Sequence, residues 1–202
     1  MTTAEAIRIK VRRAPVGTFM RPSDFPGSRA AVLVVLSRLH TKGELIRVRN
    51  GLYWKGVNSP YGKGSPDLLT SAMAAAGERG VGPSGWSATH ALGLSTQMPA
   101  IPELAVTGPA PKFEGVRFHT RNNATRRGLS FYELALLEAL REFPRFAEVD
   151  IAEVARKVAD LEAKGKIRMA KVEKVAAREH SPRLRENLAI VRELLHALKN
   201  AA

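Results

Sequence analysis

The sequence predicts a mostly helical α+β protein. It reads as an N-terminal winged helix-turn-helix with a β-hairpin wing, then an α/β segment with few strands, then a C-terminal helical bundle. Three observations predict this order. Residues 28–42 place Val32, Val35, Leu36 and Leu39 at helical spacings of three and four. Directly after them, Leu45, Val48 and Leu52 alternate with Arg47, Arg49 and Lys55 around Asn50-Gly51, a dipeptide favoured in tight hairpin turns. Beyond Gly128 the pattern is helical almost throughout.

Residues 3–14 form a short amphipathic helix with Ala4, Ile7, Val11 and Ala14 inward and Arg8, Lys10, Arg12 and Arg13 outward; a frayed basic arm is the plainer alternative. Pro15 ends it, since proline cannot continue the hydrogen-bond ladder. Residues 16–20 read as a short extended piece, and Ser23-Asp24-Phe25 as a brief positioning helix broken by Pro26-Gly27. Ser28 caps the recognition helix, because its hydroxyl can accept from an unpaired first-turn amide. Lys42-Gly43 stops it, glycine taking the left-handed conformation without steric cost.

The exposed face of that helix carries Ala30, Ser37 and Thr41, flanked by Arg29, Arg38 and His40. Small and hydroxyl side chains let a helix approach base edges, and Arg29 at the N-terminus can reach a guanine or a phosphate. Leu33 and Val34 make the middle of the helix apolar nearly all round. The expectation is that helix 3–14 covers them and that reading is confined to the first turn. In the hairpin, Arg47, Arg49, Asn50 and Lys55 are placed for phosphates or a minor groove. The candidate DNA contacts are therefore Ser28, Arg29, Ser37, Arg38, Arg47, Arg49, Asn50 and Lys55. A winged helix used only for protein contacts is the competing reading.

Charge supports the nucleic-acid reading. The 202 residues carry a formal net charge of +13, and a chain this basic points towards a polyanionic partner, with a basic surface of no function as the plainer alternative. The excess is concentrated: residues 1–55 hold eleven Lys/Arg against three acids, a net of +8, and the remaining 147 residues a net of only +5. There is no cysteine, which excludes disulfides and thiolate chemistry. No apolar run approaches membrane-spanning length, and the N-terminus lacks a signal-peptide core, so a cytoplasmic protein without membrane contact is expected.

The Gly-, Pro- and Ser-rich stretch 56–66 reads as a linker between a domain at 1–58 and another at 66–202. The second domain divides into a mixed part, 66–125, and a helical part, 129–200. Its expected elements are a small-residue helix at 67–79, a helix or turn at 86–94, strands at 103–107 and 116–120, and helices at 131–142, 150–164, 168–179 and 182–198. On the last, Leu184, Leu188, Val191, Leu194, Leu195 and Leu198 form an apolar stripe, most simply core, with a partner groove or dimer seam as the sharper alternative.

Several motifs carry less than their patterns suggest. Gly80-Val81-Gly82-Pro83-Ser84-Gly85 has dinucleotide-loop spacing, but a helix precedes it and Pro83 interrupts it, so it reads as a loop and no cofactor is expected. The five histidines show no metal-ligand spacing. Leu161-Glu-Ala-Lys-Gly-Lys-Ile-Arg168 echoes Leu39-His-Thr-Lys-Gly-Glu-Leu-Ile-Arg47, read as two helices stopped by one signal. Glu133, Glu138, Asp150 and Glu153 are spaced like solvated helix charges rather than a nuclease centre, so no enzyme is expected.

The order Ser23-Asp24-Phe25, Gly27-Ser28, Leu36-Ser37-Arg38-Leu39, Gly43-Glu44-Leu45-Ile46-Arg47 and Asn50-Gly51-Leu52-Tyr53 resembles the N-terminal domain of AbiEi-type antitoxins. The block Trp86-Ser87-Ala88-Thr89-His90-Ala91-Leu92-Gly93-Leu94-Ser95, leading to Pro102-Glu103 and Phe118, is similar to the same family. The resemblance covers most of the chain and is weakest in the C-terminal helices. It implies a bacterial type IV system: a winged helix that represses its own operon at inverted repeats in double-stranded DNA, and a second, antitoxin domain. That domain would counteract a cognate AbiEii-like nucleotidyltransferase toxin, a stable complex not being required. By position it puts DNA contacts on Ser28, Arg29, Arg47, Arg49 and Asn50. The residues alone leave open a winged-helix regulator or a nucleic-acid-binding structural protein without an antitoxin role.

Overall fold

The chain folds into two compact units, Met1–Ala75 and Ala76–Ala202; the computed structural model describes residues 2–59, 62–77 and 79–200. Helix α1, Thr3–Arg13, begins with a reciprocal cap: the Thr2 hydroxyl accepts from Glu5 N at 3.2 Å, and the Glu5 carboxylate accepts from Thr2 N at 2.7 Å. Ile7 and Val11 are buried and Ala4 and Ala14 partly so, the face expected of the amphipathic helix. Strand β1, Phe19–Met20, is the extended piece, and the positioning helix is reduced to one 3-10 turn at Pro22–Asp24. Helix α2, Arg29–Thr41, follows with Ser28 accepting from Ala31 N at 3.3 Å, and buries Val32, Val35, Leu36 and Leu39.

Strands β2, Ile46–Arg49, and β3, Leu52–Trp54, form the wing. The sheet order is β1-β3-β2, all antiparallel, with Met20 and Arg47 both opposite Tyr53. This order of helices and strands is that of a winged helix-turn-helix. At the tip Gly51 has φ +75°, while among the described residues no non-glycine residue has a positive φ. The turn is therefore not type I′, which needs a positive φ at both central residues. A register shift between Arg47 and Arg49 absorbs the difference.

The stretch expected as a linker carries structure. A short antiparallel pair, β4 at Asn58–Ser59 and β5 at Gly62–Lys63, occupies it; Pro60 and Tyr61 of the expected linker lie outside the described residues. Helix α3, Leu68–Ala76, starts where Asp67 accepts from Thr70 N at 2.8 Å. It ends at Ala76, where Gly77 turns to φ +96°, short of the expected end at 79; Glu78 of the expected helix lies outside the described residues. Arg21 donates to Ala74 O, and the division between units falls at Ala75/Ala76, so most of α3 belongs with the winged helix and not with the following domain.

In the second unit, residues 80–85 are not a loop. Val81–Pro83 is an edge strand, β6, antiparallel to β7, Glu103–Val106, and β7 runs parallel to β8, Arg117–Thr120. Proline is tolerated there because an edge strand has amides that need no partner. Two glycines and a proline conceal the strand in the sequence. Gly82 is small for a packing reason: a Cβ at that position would stand 2.5 Å from the Leu134 Cβ.

Helix α4, Gly85–Ala91, leaves β6 directly, and α5, Phe131–Glu142, packs beneath the sheet. Helices α6, Ile151–Ala163, α7, Met169–Ala176, and α8, Pro182–Asn200, complete one apolar core with α4 and α5. On α8, Leu184, Leu188, Val191 and Leu195 are core, Leu194 is half-buried, and Leu198 is exposed. The sequence echo is a shared helix stop: Glu44 N and Leu45 N both return to Leu39 O, as Lys166 N and Ile167 N return to Leu161 O.

Below the sheet lies a buried ionic network that corrects one expectation. Glu133 and Glu138 are not solvated helix charges; both are fully buried. Glu133 completes the α5 cap and is gripped by Arg168 at 2.7 Å. Glu138 accepts from Arg121 Nη2 at 2.6 Å, from Arg126 Nη2 at 2.5 Å and from the Ser84 hydroxyl at 2.9 Å. Burial pushes its carboxyl up, but the Arg121 and Arg126 guanidiniums outweigh that and hold it at about 2, from an ordinary 4.5.

Two outcomes follow. Gly82→Ala should lower the stability of the second unit by about 1–3 kcal/mol, through overpacking against Leu134, read by urea denaturation. Because the Glu138 pKa is depressed in the folded chain, its stabilisation is complete above pH ~4.5 and is lost as the pH falls from there towards 2. Acid titration of the folded state should therefore lose stability on the order of 3 kcal/mol in that window, and Glu138→Gln should flatten that loss.

Candidate nucleic-acid interface

Along α2 the exposed side chains are Arg29, Ala30, Ala31, Val34, Ser37, Arg38, His40 and Thr41. The expectation that α1 covers Leu33 and Val34 fails for Val34. Leu33 packs against the core of the first unit, but Val34 is 50% exposed. Helix α1 places Ile7 and Val11 against the buried stripe instead, one helical face away from Val34. The outer face of α2 therefore runs its whole length, Ala30, Val34, Ser37 and Thr41 in line, with Arg29 and Arg38 beside it.

The wing supplies the rest. Arg47 and Arg49 alternate with the half-buried Ile46 and Val48, so both guanidiniums leave the sheet on its exposed face, and Asn50 sits at the tip. Helix and wing approach each other: a Cβ placed on Gly51 would be 3.8 Å from an Arg29 Nη. Among the described residues, the side chains of Arg29, Arg38, Arg47 and Arg49 make no hydrogen bond or ion pair with the protein. Four unneutralised guanidiniums on one small unit set up a local positive field that suits phosphate.

Two of the expected residues have other work. The Ser28 hydroxyl caps α2, which holds its backbone at the helix start. Lys55 is not presented to solvent like the arginines. Its Nζ donates to Val11 O at 2.9 Å, Arg12 O at 2.7 Å and Ala14 O at 2.6 Å. Those are carbonyls at the C-terminus of α1, where the helix dipole favours a cation. Lys55 thus ties the wing strand to α1, a role hidden in sequence because the partners lie more than 40 residues away.

The second unit holds a polar site that no sequence motif announced. Glu103 on β7 accepts from His119 Nε2 at 2.7 Å and from Arg117 Nη1 at 3.4 Å, both on β8. Parallel register puts Glu103 opposite Arg117 and Ala105 opposite His119, which is what brings the three together. A cavity of about 370 Å³ opens beside them, bounded also by Trp86, Arg121, Arg145 and Phe146. Among the described residues, no group of three or more His, Asp or Glu side chains is arranged to hold a metal ion, and no helix is long and apolar enough to cross a membrane.

No protein-family model matches the sequence, and a search of curated proteins returns no match. Among solved structures, the chain is similar to the Rv2827c protein from Mycobacterium tuberculosis, with a TM-score of 0.42 and 17% identity over 97% of this chain and 81% of that one.

Lys55→Met keeps the aliphatic stem and removes the ammonium. It should lower the stability of the first unit by about 1–3 kcal/mol, the worth of charge-assisted bonds to a helix terminus, seen as an earlier thermal transition.

Proposed function

We propose that this chain is a DNA-binding transcriptional autorepressor whose second unit acts as an antitoxin, as its resemblance to AbiEi-type proteins implies. The observation that carries the DNA half is the set of unpaired guanidiniums, Arg29, Arg38, Arg47 and Arg49, on the recognition helix and wing. In this reading Arg47 and Arg49 hold phosphates, Asn50 enters the adjoining groove, and Arg29 reaches a base edge or phosphate at the helix N-terminus. Ala30 and Val34 add methyl groups suited to thymine, and the Ser37 hydroxyl accepts or donates. Ser28 and Lys55 support the geometry and do not contact DNA directly.

The antitoxin half rests on the resemblance alone, and its partner is a nucleotidyltransferase-like toxin encoded beside this chain. Growth rescue on co-expression of the full chain with that toxin tests it. Failure to rescue, with the chain still binding its upstream DNA, would leave a winged-helix regulator without an antitoxin role.

DNA binding is measured by fluorescence anisotropy on the duplex upstream of the gene, across a salt series. Arg47→Ala or Arg49→Ala should weaken all duplexes alike and reduce the salt slope by about one unit. Arg29→Ala should cost about 1–3 kcal/mol on the upstream duplex and less on a scrambled one if it reads a base. Salt-insensitive binding, or none at low salt, would sink the proposal.

A further inference from the structure

The cavity beside Glu103 combines features that the DNA reading does not use. One wall is aromatic: Trp86 and Phe146 meet with ring centroids 5.3 Å apart and planes tilted by 59°, and the Arg145 guanidinium lies 5.0 Å over the Phe146 ring. Arg117 and Arg121 line the same cavity. A second hollow of about 360 Å³ shares Trp86, Glu103 and Arg117 and extends the space along residues 97–101. The volume falls in the range of small-molecule sites.

The donors around this space are under-used. Arg121 spends Nε and Nη2 on Glu138, and its Nη1 has no hydrogen-bond partner among the described residues. The Arg145 head group makes no hydrogen bond or ion pair there, and Arg117, its own side chain 59% exposed, makes a single 3.4 Å contact, with Glu103. Behind Arg121 the buried network is short of acceptors as well: Arg126 Nε and Nη1 and Arg141 Nε lack hydrogen-bond partners. Three guanidiniums, five donors each, therefore face one cavity holding two carboxylates. Of these, Glu103 is already shared by His119 and Arg117. Glu142, the other, has a carboxylate with no hydrogen-bond partner among the described residues, though it attracts the Arg121 charge.

We propose that this cavity binds a nucleotide, its base against Trp86 and its phosphate held by Arg117, Arg121 and Arg145. Guanidinium forks match phosphate oxygens two at a time, and an indole is a stacking platform for any base. The Glu142 carboxylate, with no hydrogen bond among the described residues, provides an acceptor for an amino or imino edge, which separates this site from one built only for inorganic anions. Inorganic phosphate would leave the aromatic wall and Glu142 idle. An aromatic ligand without charge would leave Arg145 without an ion pair and the spare donors of Arg117 and Arg121 unused.

The test uses the full chain, titrated with nucleoside 5′-monophosphates, with inorganic phosphate and with the unphosphorylated nucleosides, by calorimetry. A second measurement follows tryptophan fluorescence in Trp54→Phe, where Trp86 is the only indole left. Saturable heat and quenching by a monophosphate are expected, with phosphate and nucleoside at least about tenfold weaker. Arg145→Ala and Arg117→Ala should each weaken it about tenfold or more, Arg145→Ala without moving the melting temperature, since its head group makes no ion pair among the described residues. A 5′-phosphorylated dinucleotide distinguishes a free nucleotide from the end of a strand; tight binding by either supports the site. No heat and no quenching at millimolar ligand would overturn it. So would inorganic phosphate binding as tightly as the nucleotide, or affinity unchanged in both arginine variants. DNA binding by the winged helix, measured separately, bears on none of these outcomes.

Discussion

A single carboxylate organises the second unit. Glu138 is fully buried on α5 and takes hydrogen bonds from the end of β8 through Arg121, from the 3-10 turn at Ala124–Gly128 through Arg126, and from the β6–α4 junction through Ser84. Glu179, after α7, extends the network: it pairs with Arg141 and Arg126 and accepts from Asn123 at 2.8 Å. A buried carboxylate survives only when its lone pairs are met, so sheet, turn and three helices must keep their places together. The same network sets one floor of the polar cavity, because Arg121 faces Glu138 on one side and the opening on the other.

The first unit solves a similar problem with one cation. Its two-residue β1 and single 3-10 turn offer little regular hydrogen bonding. Lys55 therefore matters out of proportion to its size. It joins the wing strand to the carbonyls that α1 would leave unmet, while Ile7 and Val11 fill the core below. With Lys55 committed inward, Arg29, Arg38, Arg47 and Arg49 of α2 and the wing stay exposed, without an ion pair among the described residues. Paired and unpaired cations of this unit are thus divided by burial and not by residue type.

How much of this was legible follows from the range of each interaction. Helix α2, its Ser28 cap, its Gly43 stop and its buried stripe rest on contacts within four residues, and the sequence displays them directly. The capping box of Ser130 and Glu133 and the span of α5 are equally local. Strand β6 was hidden because its reasons are distant: pairing with β7 and close approach of Leu134 override two glycines and a proline. Val34 was misplaced because apolar character by itself does not say which face a neighbouring helix covers. The acids of α5 have the spacing of solvated charges, and only Arg121, Arg126 and Arg168 make them core.

The sequence by itself determined the α+β class, the order of the winged helix, the basic excess of residues 1–55 and the helical C-terminal half, since periodicity, caps, turn residues and charge are properties of neighbours along the chain. Only the tertiary structure decided that Lys55 is a helix tie, that Val34 faces outward, that α3 belongs mostly with the first unit, and that Trp86, Arg117, Arg121 and Arg145 surround one cavity. The physical reason is the same in each case. Burial and ion pairing between residues tens of positions apart depend on which surfaces meet, and strand register and helix packing settle that only when the chain has folded.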